Sequence, residues 1–503
     1  MHSLLLRLHV TNAGFSSARR AEASFPCRQH AVVEVRRRCV CSAQAQADVE
    51  TLPPLSAWVE QRGLPLKKLN VRPEIVEGDL CLVVSKPTKK GQPLVAVPSS
   101  AWLTQQVVRS SSIGSLVEDL EPWLQIALFL LHERSKPDAA WQGFLDSIPA
   151  APDVPLFWSE EELSQLEGTQ LLSSVQGYRQ FFEAKYAELE EQLFAPHREA
   201  FPPKSHQLDD FLWAVATVRS RVHSPLDGED VALVPLADLV QHRKLQGARW
   251  QLQLAGGLFS KAQALVVEAQ RDYAEGEVVT MDFGAPLTEE DQEKLDSQVL
   301  LDYGALDADR PQADPGVVQG GFILSLALPE DDKYYDDKAD ILELNGLSEA
   351  ASFVLRANEE PSEQLLGFLR LLNLSGQDAF LLEPLFRNEA WGHMLAPVSE
   401  ANERAVYESM MEGCRAALQG YATSIDDDLR ALRDTQPGTR LEKAILVRLG
   451  EKETLDATLA FFEDRYDRLA TLEFYQERRL KRLGLLDDDG GSTYDSFFVD
   501  GIA

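Results

Sequence analysis

The sequence predicts an α+β protein in two parts, a strand-containing part interrupted by helices and an all-α part that follows it. Short apolar runs at residues 80–84 and 94–98 are separated by Lys-Lys-Gly-Gln, a turn composition. In residues 101–205 the apolar side chains recur at helical spacing instead. Helical spacing returns beyond residue 335, which makes the closing part helical.

Residues 1–47 differ in composition from the rest of the chain. They contain seven arginines, several serines and only two acidic residues. This composition is typical of organelle transit peptides, whereas a secretory signal requires a continuous apolar core that Arg7 and His9 interrupt. We predict a plastid or mitochondrial address cleaved near residues 41–43. The alternative is a disordered N-terminus.

Charge restricts the class of partner. Without residues 1–47 the chain loses seven Arg and two Glu and keeps 42 basic and 78 acidic side chains, a formal charge of −36. This argues strongly against nucleic acid or an anionic membrane as the main partner, because phosphate binding depends on cationic surface. A basic peptide or a Lys-bearing protein surface fits better, and a role of the charge in solubility alone fits equally well.

The sequence also argues against several other classes of protein. The longest apolar stretch, residues 124–131, is far shorter than the roughly 20 residues of a membrane span. Three of the five cysteines precede residue 47, and the remaining Cys81 and Cys414 lack metal-ligand spacing. We predict no metal site and no disulfide framework. P-loop, G-x-S-x-G and H-E-x-x-H motifs are absent from the sequence.

The elements follow in order along the chain. Helical faces are predicted from Trp123, Ile126, Ala127, Leu130 and Leu131, and from Tyr178, Phe181, Phe182 and Tyr186. A helix over 211–221 leads into strands near 231–235, 251–254 and 265–268. The acidic, Pro-containing residues 307–316 indicate a linker.

The closing part contains one long apolar stripe. It consists of Leu455, Leu459, Phe462, Tyr466 and Leu469, at spacings of four, three, four and three. Such a stripe is more often core than a groove for a partner. The tail from Asp487 has the composition of a disordered segment.

Two segments carry the functional signal. Residues 237–242 read ADLVQH and residues 300–304 read LLDYG, and together they resemble the signature segments of SET-domain protein-lysine methyltransferases. Residues 77–78, ahead of a strand, and residues 219–221 resemble the two cofactor loops of that family. A single His or Tyr at such a place is usually structural, so the prediction depends on their joint occurrence in family order.

The resemblance extends across the chain. Residues 155–163 and 171–172 resemble the helical insertion of the plastid branch, and residues 378–383, 387–388, 391–393 and 472–481 resemble the substrate-binding domain of the Rubisco large-subunit methyltransferase family. It implies a SET domain of small sheets with knotted topology at 55–310, a helical insertion at about 101–205, a helical substrate-binding domain at 335–486 and an acidic tail at 487–503.

By this resemblance the protein is a protein-lysine N-methyltransferase that uses S-adenosylmethionine. The cofactor positions would be Glu77, Gly78, Leu80, Arg221, Gln241 and His242, with Arg221 at the donor carboxylate and His242 on the adenine side. The substrate positions would be Ser220, Arg221, Asp238 and Tyr303. Of these, Tyr303 would be catalytic and would close the lysine channel.

Methyl transfer to a lysine amine requires residues of these types. Methyl transfer from a sulfonium is an in-line displacement, so the protein must align a neutral amine with the methyl group and exclude water. Desolvation in an apolar channel lowers the pKa of an amine. A tyrosine hydroxyl can orient the nitrogen or assist removal of its proton.

Two functions remain open from the sequence. The first is an active enzyme of the chloroplast stroma, expected to be a monomer, whose helical domain docks a folded protein such as the Rubisco large subunit or an aldolase. The second is a SET-derived binding protein with poor turnover. Intact Tyr303, Asp238, Ser220, Arg221 and His242 favour the first. Three departures from the family pattern favour the second: Gln241 where Asn is usual, Phe283 where Tyr is common, and Cys81 in the first loop; Asp296, where Asn is usual, is a further departure.

Overall fold

The computed structural model describes residues 54–136, 138–223, 231–244, 247–255, 262–286, 293–306 and 320–485. The predicted address at 1–47, the linker at 307–316 and the tail at 487–503 lie outside these ranges. The described residues form two compact units. The N-terminal unit comprises residues 54–163 and 173–306, and the C-terminal unit comprises residues 164–172 and 320–485.

The N-terminal unit combines short strands with a helical segment. Its elements are α1 (Pro54–Gln61), β1 (Val71–Val76), β2 (Asp79–Val84), β3 (Pro93–Pro98), β4 (Leu103–Thr104), α2 (Gln105–Arg109), α3 (Gly114–Val117), α4 (Pro122–Arg134), α5 (Gln142–Leu145), α6 (Glu160–Ser164), α7 (Gln170–Leu189), α8 (Leu208–Arg221), β5 (Val222–His223), β6 (Ala232–Leu233), β7 (Gln241–His242), β8 (Ala248–Ala255), β9 (Ala262–Ala269), β10 (Thr280–Met281) and α9 (Asp296–Tyr303). The predicted α+β class with a helical insertion is confirmed.

Three small sheets organise this unit. The strands pair in the orders β1-β2, β4-β6-β5 and β3-β9-β8-β10-β7. Most pairings are antiparallel, but β7 pairs parallel to β10, with Gln241 opposite Thr280 and His242 opposite Met281. This parallel pair places the 237–242 segment beside the loop that follows β10.

Helix α4 forms the centre of the helical segment. All of its residues from Leu124 to Glu133 are buried, and it packs against α8. A helix that is apolar on all sides must be enclosed by other elements. Burial of α4 therefore holds α8 in place, and α8 ends at Arg221 in the candidate site.

The C-terminal unit is mainly helical. Its elements are β11 (Phe322–Ala327), α10 (Tyr335–Leu344), β12 (Ala350–Leu355), α11 (Glu363–Leu372), α12 (Arg387–Met394), α13 (Glu400–Gln419), α14 (Ile425–Asp434), α15 (Arg440–Asp467) and α16 (Tyr475–Arg482). The antiparallel pair β11-β12 is a difference from the predicted all-α region. Alternate residues of β11 are buried, because only one face of this two-stranded sheet packs on the core.

The predicted apolar stripe lies mostly on α15. Leu455 and Phe462 are buried in the core of the unit, and Leu459 and Tyr466 pack against it. Leu469 is also in that core but lies beyond the end of α15, in a 3₁₀ turn. The interpretation of the stripe as core is confirmed, although the helix ends two residues earlier than the spacing indicates.

Segment Ser164–Leu172, although it comes from the predicted helical insertion, belongs to the C-terminal unit. Within that unit the Gln170 main-chain N–H donates to Glu451 Oε2 at 3.1 Å, and the Tyr421 hydroxyl donates to the same oxygen at 2.6 Å. Burial raises the pKa of the Glu451 carboxyl to about 7, although both hydrogen bonds oppose the rise. The sequence contained no signal for this contact.

Among the described residues, no helix combines the length and apolarity that a membrane crossing requires. The two described cysteines, Cys81 and Cys414, are buried free thiols.

Candidate active site

A two-residue turn, Glu77-Gly78, joins β1 to β2 after the last pair of the hairpin, Val76 and Asp79. Both turn residues have positive φ, 54° and 101°, which is the combination that a type I′ turn requires. Glycine adopts it freely, whereas Glu77 does so at a cost of about 1–2 kcal/mol. A Cβ added to Gly78 would meet no atom within 4 Å, so the turn borders open space.

The strand after this turn separates Leu80 from Cys81. Successive side chains of a strand point to opposite faces, and here Leu80 is half-buried while Cys81 is buried. Burial raises the pKa of the Cys81 thiol to about 11. The thiol is therefore protonated at neutral pH and directed into the protein. Cys81 would thus not crowd an S-adenosylmethionine molecule bound on the Leu80 face.

Three polar side chains lie at the end of α8 and have different partners. They are Arg219, Ser220 and Arg221. The Arg221 Nη1 donates to Asp238 Oδ2 at 2.8 Å, and Arg219 pairs with Asp302. The Ser220 hydroxyl donates to the Ala216 carbonyl of its own helix at 2.8 Å. The structure thus brings Arg221 to Asp238, but the Ser220 hydroxyl is engaged within α8.

The segment before β7 contains a strained turn. Leu236 is buried and has φ 73° and ψ −43°, a region that bulky residues rarely occupy and that costs on the order of 1–3 kcal/mol. The turn directs Asp238 into the interior, where its side chain is 1% exposed. Burial raises the pKa of the Asp238 carboxyl, and the adjacent Arg221 guanidinium opposes that rise.

The two residues of β7 have different environments. The Gln241 side chain folds back, and its Nε2 donates to the Leu239 carbonyl at 3.3 Å. His242 is buried, and its Nδ1 accepts from the Phe283 main-chain N–H at 3.1 Å. A neutral imidazole that accepts at Nδ1 carries its proton on Nε2. The loop after β10 therefore determines the tautomer of His242.

An aromatic row connects this turn to Tyr303. The ring centroids of His242 and Phe283 are 5.3 Å apart, and those of Phe283 and Tyr303 are 4.7 Å apart. These spacings are typical of favourable aromatic pairs. Phe283 is thus the packing link between the two signature segments, and this contact does not require a hydroxyl at position 283.

Asp296 has a cationic partner. The Lys244 Nζ lies 2.5 Å from Asp296 Oδ1, and both side chains are largely buried. A buried carboxylate is costly unless it is paired. The Asp at this position is therefore compensated by a lysine just after β7.

Three polar residues beside Tyr303 were missed as site residues by the sequence analysis. They are Arg219, Lys294 and Asp302, of which Lys294 lies 3.4 Å from the Tyr303 hydroxyl and 3.1 Å from Asp302. Asp302 and Arg219 fall inside the motif strings quoted above. Lys294 falls outside them, in the loop before α9, and had no sequence signal.

The residues present fit S-adenosylmethionine. The open Glu77-Gly78 turn offers main-chain groups, the Arg221 guanidinium can bind a carboxylate, and His242 offers an aromatic edge. These groups belong to one compact unit. Their combination of one cation, one hairpin turn and apolar rings matches a zwitterionic nucleoside donor.

Comparisons with known proteins show what this chain is similar to. A family model described as Rubisco LSMT substrate-binding matches residues 329–455. The chain is 35% identical to the chloroplastic ribulose-1,5 bisphosphate carboxylase/oxygenase large subunit N-methyltransferase of Nicotiana tabacum over 86% of each chain. It is 34% identical to the chloroplastic [fructose-bisphosphate aldolase]-lysine N-methyltransferase of Arabidopsis thaliana, over 86% of this chain and 87% of that protein.

A solved structure supports the same relationship. The SET domain of LSMT bound to lysine and AdoHcy superposes with a TM-score of 0.77 at 34% identity, and the match covers 88% of this chain and 97% of that one. AdoHcy is what S-adenosylmethionine becomes after it gives up its methyl group. The match spans both the strand-containing part and the helical part of the chain.

Proposed function

This chain belongs to the family of chloroplast SET-domain protein-lysine N-methyltransferases that use S-adenosylmethionine, and we propose that it methylates a lysine of a folded stromal protein. The Rubisco large subunit and fructose-bisphosphate aldolase are the two candidates. Relatives that are named for each of them are almost equally similar to this chain. Similarity therefore supports the class of substrate and leaves the choice to experiment.

On the donor side we assign Glu77, Gly78, Leu80, Gln241 and His242 to the adenosyl part. Arg221 binds the donor carboxylate, which would share the guanidinium with Asp238. When bound, the donor supplies an electrophilic methyl group on sulfur. The buried Arg221–Asp238 pair stabilises this arrangement because it fixes the direction of the guanidinium before the donor arrives.

On the substrate side Tyr303 acts on the amine. Its ring is held by Phe283, and its hydroxyl can accept an N–H of the incoming lysine, which leaves the lone pair of the nitrogen directed at the methyl group. Asp238 lines the channel. Ser220 lines it through its main chain, because its hydroxyl is bonded within α8.

The single observation that carries this proposal is the aromatic row from His242 through Phe283 to Tyr303. It puts the donor-side turn and the amine-side tyrosine within two ring spacings of each other. A transfer site requires this proximity, since the reacting atoms must approach to about 3–3.5 Å. The binding-only alternative is not supported, because the named relatives are methyltransferases.

The net charge of the chain supports the proposed class of partner, and the Arg-rich composition of residues 1–47 supports the proposed location. The acidic chain favours basic or Lys-bearing protein partners and disfavours nucleic acid. We propose that residues 1–47 direct the protein to the stroma and that the mature protein is a monomer.

The test is methylation by the full-length chain with radiolabelled S-adenosylmethionine and, separately, purified Rubisco large subunit and purified aldolase. We expect label on a lysine of one of them, and strongly reduced label with Tyr303→Phe. Label on neither protein would reject both substrates. Equal labelling by parent and variant would reject the assigned role of Tyr303.

A further inference from the structure

The hydroxyl of Tyr303 has a charged neighbour. The Lys294 Nζ lies 3.4 Å from the phenol oxygen and 4.9 Å from the centroid of the same ring. An ammonium has donors and no acceptor, so the phenol oxygen accepts from Lys294. One lone pair of that oxygen is thereby used, and the other remains for a substrate N–H.

Lys294 is itself held by Asp302. Its Nζ lies 3.1 Å from Asp302 Oδ2, while Arg219 occupies Oδ1 of the same carboxylate. The Arg219 guanidinium also stacks on the Tyr178 ring at 4.3 Å. Two cations therefore share one carboxylate beside Tyr303. Burial opposes the charge of Lys294, but Tyr303 and Asp302 outweigh it and raise the pKa of Lys294, so the ammonium persists at neutral pH.

Among the described residues, the other charged groups around Tyr303 are compensated, exposed or separated from the hydroxyl. They are Arg221 with Asp238, whose charges are paired; His242, which lies behind the Phe283 ring; Asp282, which accepts from the Gly284 N–H; and Glu293, which is exposed. An exposed charge is screened by solvent more than a buried one. Within the ranges that the structure describes, the charge in contact with the hydroxyl is that of Lys294.

The contact bears on the protonation of the substrate. A lysine attacks the methyl carbon only through a free lone pair, so the bond from carbon to sulfur breaks with its electron pair on sulfur while the amine pair forms the bond from nitrogen to carbon. A protonated lysine beside Tyr303 would donate to the same oxygen that Lys294 already contacts. Two cations on one oxygen repel each other, and a like charge lowers the pKa of an amine.

We propose that Lys294 is a positioning residue of the methyl-transfer site, which orients the Tyr303 hydroxyl and makes the channel favour the neutral form of the incoming lysine. This role depends on the proposed function of Tyr303. It predicts that the effect of Lys294 is greatest where the free substrate lysine is protonated and disappears at alkaline pH.

A kinetic test compares Lys294→Met and Lys294→Arg with the full-length parent from pH 6.5 to 10. For Lys294→Met we expect the acidic limb of the kcat profile, which reports ionisations in the enzyme–substrate complex, to move upward by about one pH unit, which is about a tenfold loss of kcat at pH 7.5. Lys294→Arg should keep the parental limb. The matched control is Lys185→Met, which removes an ion-paired lysine of α7 outside the site.

A second test requires no turnover. Binding of Nα-acetyl-lysine to the full-length chain saturated with S-adenosylhomocysteine is measured by calorimetry between pH 7 and 10. In the parent, affinity should rise with pH as the amine loses its proton. Lys294→Met should bind about tenfold tighter at pH 7.5, with a correspondingly weaker rise.

The outcomes separate the possibilities. An unchanged limb with a lower rate, or an unchanged pH dependence of lysine binding, would mean that Lys294 only ties Asp302 in place and would overturn the proposal. Loss of the parental limb in Lys294→Arg would refute the charge argument. If the parent binds Nα-acetyl-lysine as expected but methylates neither protein, the proposed substrates are wrong while the inference stands.

Discussion

Gln241→Asn tests whether a departure from the family pattern weakens donor binding. The Gln241 amide is held by a single hydrogen bond of 3.3 Å to Leu239, at the long end of the useful range, so its loss costs little. The backbone frame does not depend on this side chain, since the Gln241 N–H donates to the Val279 carbonyl at 3.1 Å and His242 is held by Phe283.

The magnitude follows from geometry. Shortening the side chain by one methylene moves the amide by about 1.5 Å, enough to make or break a hydrogen bond whose range spans about 0.5 Å. One recovered bond to the donor is worth about 1.4 kcal/mol, or tenfold in the dissociation constant. We therefore expect Gln241→Asn to bind S-adenosylmethionine about tenfold more tightly, as measured by calorimetry.

Two controls sharpen this measurement. Gln241→Ala should bind the donor no more tightly than the parent, because it removes the amide that now bonds Leu239 and supplies no amide closer to the donor. Gln251→Asn, a change at a β8 position where the Gln amide bonds Glu268, should have no effect. Unchanged or weaker binding by Gln241→Asn would refute the reasoning and would mean that the turn has adapted to Gln.

Four further predictions concern other parts of the chain. Tyr303→Phe should lower turnover on the order of 100-fold with an unchanged donor dissociation constant, measured by single-turnover kinetics and calorimetry; a parental rate would make Tyr303 a packing residue only. Folding raises the pKa of Glu451 from 4.5 to about 7, because the folded state favours the neutral carboxyl. The contribution of Glu451 to the stability of the folded state is therefore complete below pH 4.5 and is lost as pH rises through 7. Urea unfolding at pH 5 and 8.5 should show about 2.5 kcal/mol of this loss in the parent and not in Glu451→Gln. Gly304→Ala should destabilise by at least about 2 kcal/mol and lower the melting temperature, because Gly304 has φ 68° and an added Cβ would lie 2.1 Å from the Asp153 carbonyl oxygen. A fluorescent reporter fused to residues 1–47 should enter the plastid, and a cytosolic signal would contradict that address.

Much of the local structure could be predicted from the sequence. The strand predictions near 80–84 and 94–98 became β2 and β3, and the helix predicted over 211–221 became α8, which begins three residues earlier. Turn chemistry, capping and periodicity depend on residues within a few positions of each other. Such short-range patterns can be recognised in the sequence without knowledge of the tertiary fold.

The sequence was less informative where strands are very short. The run predicted at 231–235 yields only the two-residue strand β6, and the parallel pair of β7 with β10 joins strands of two residues each. Two residues contain no periodicity to detect. Pairing with a distant strand, and not local propensity, determines that such segments are extended.

For the candidate active site, the sequence by itself determined which residue types recur in family order, and so predicted Tyr303, His242 and Asp238 as site residues and indicated the class of reaction. Only the tertiary structure decided what surrounds them. The pair of Arg219 with Asp302 spans 83 positions, and Lys294 contacts the Tyr303 hydroxyl from nine positions earlier in the chain. Charge pairing depends on distance in space, and the fold alone converts separation along the chain into contact.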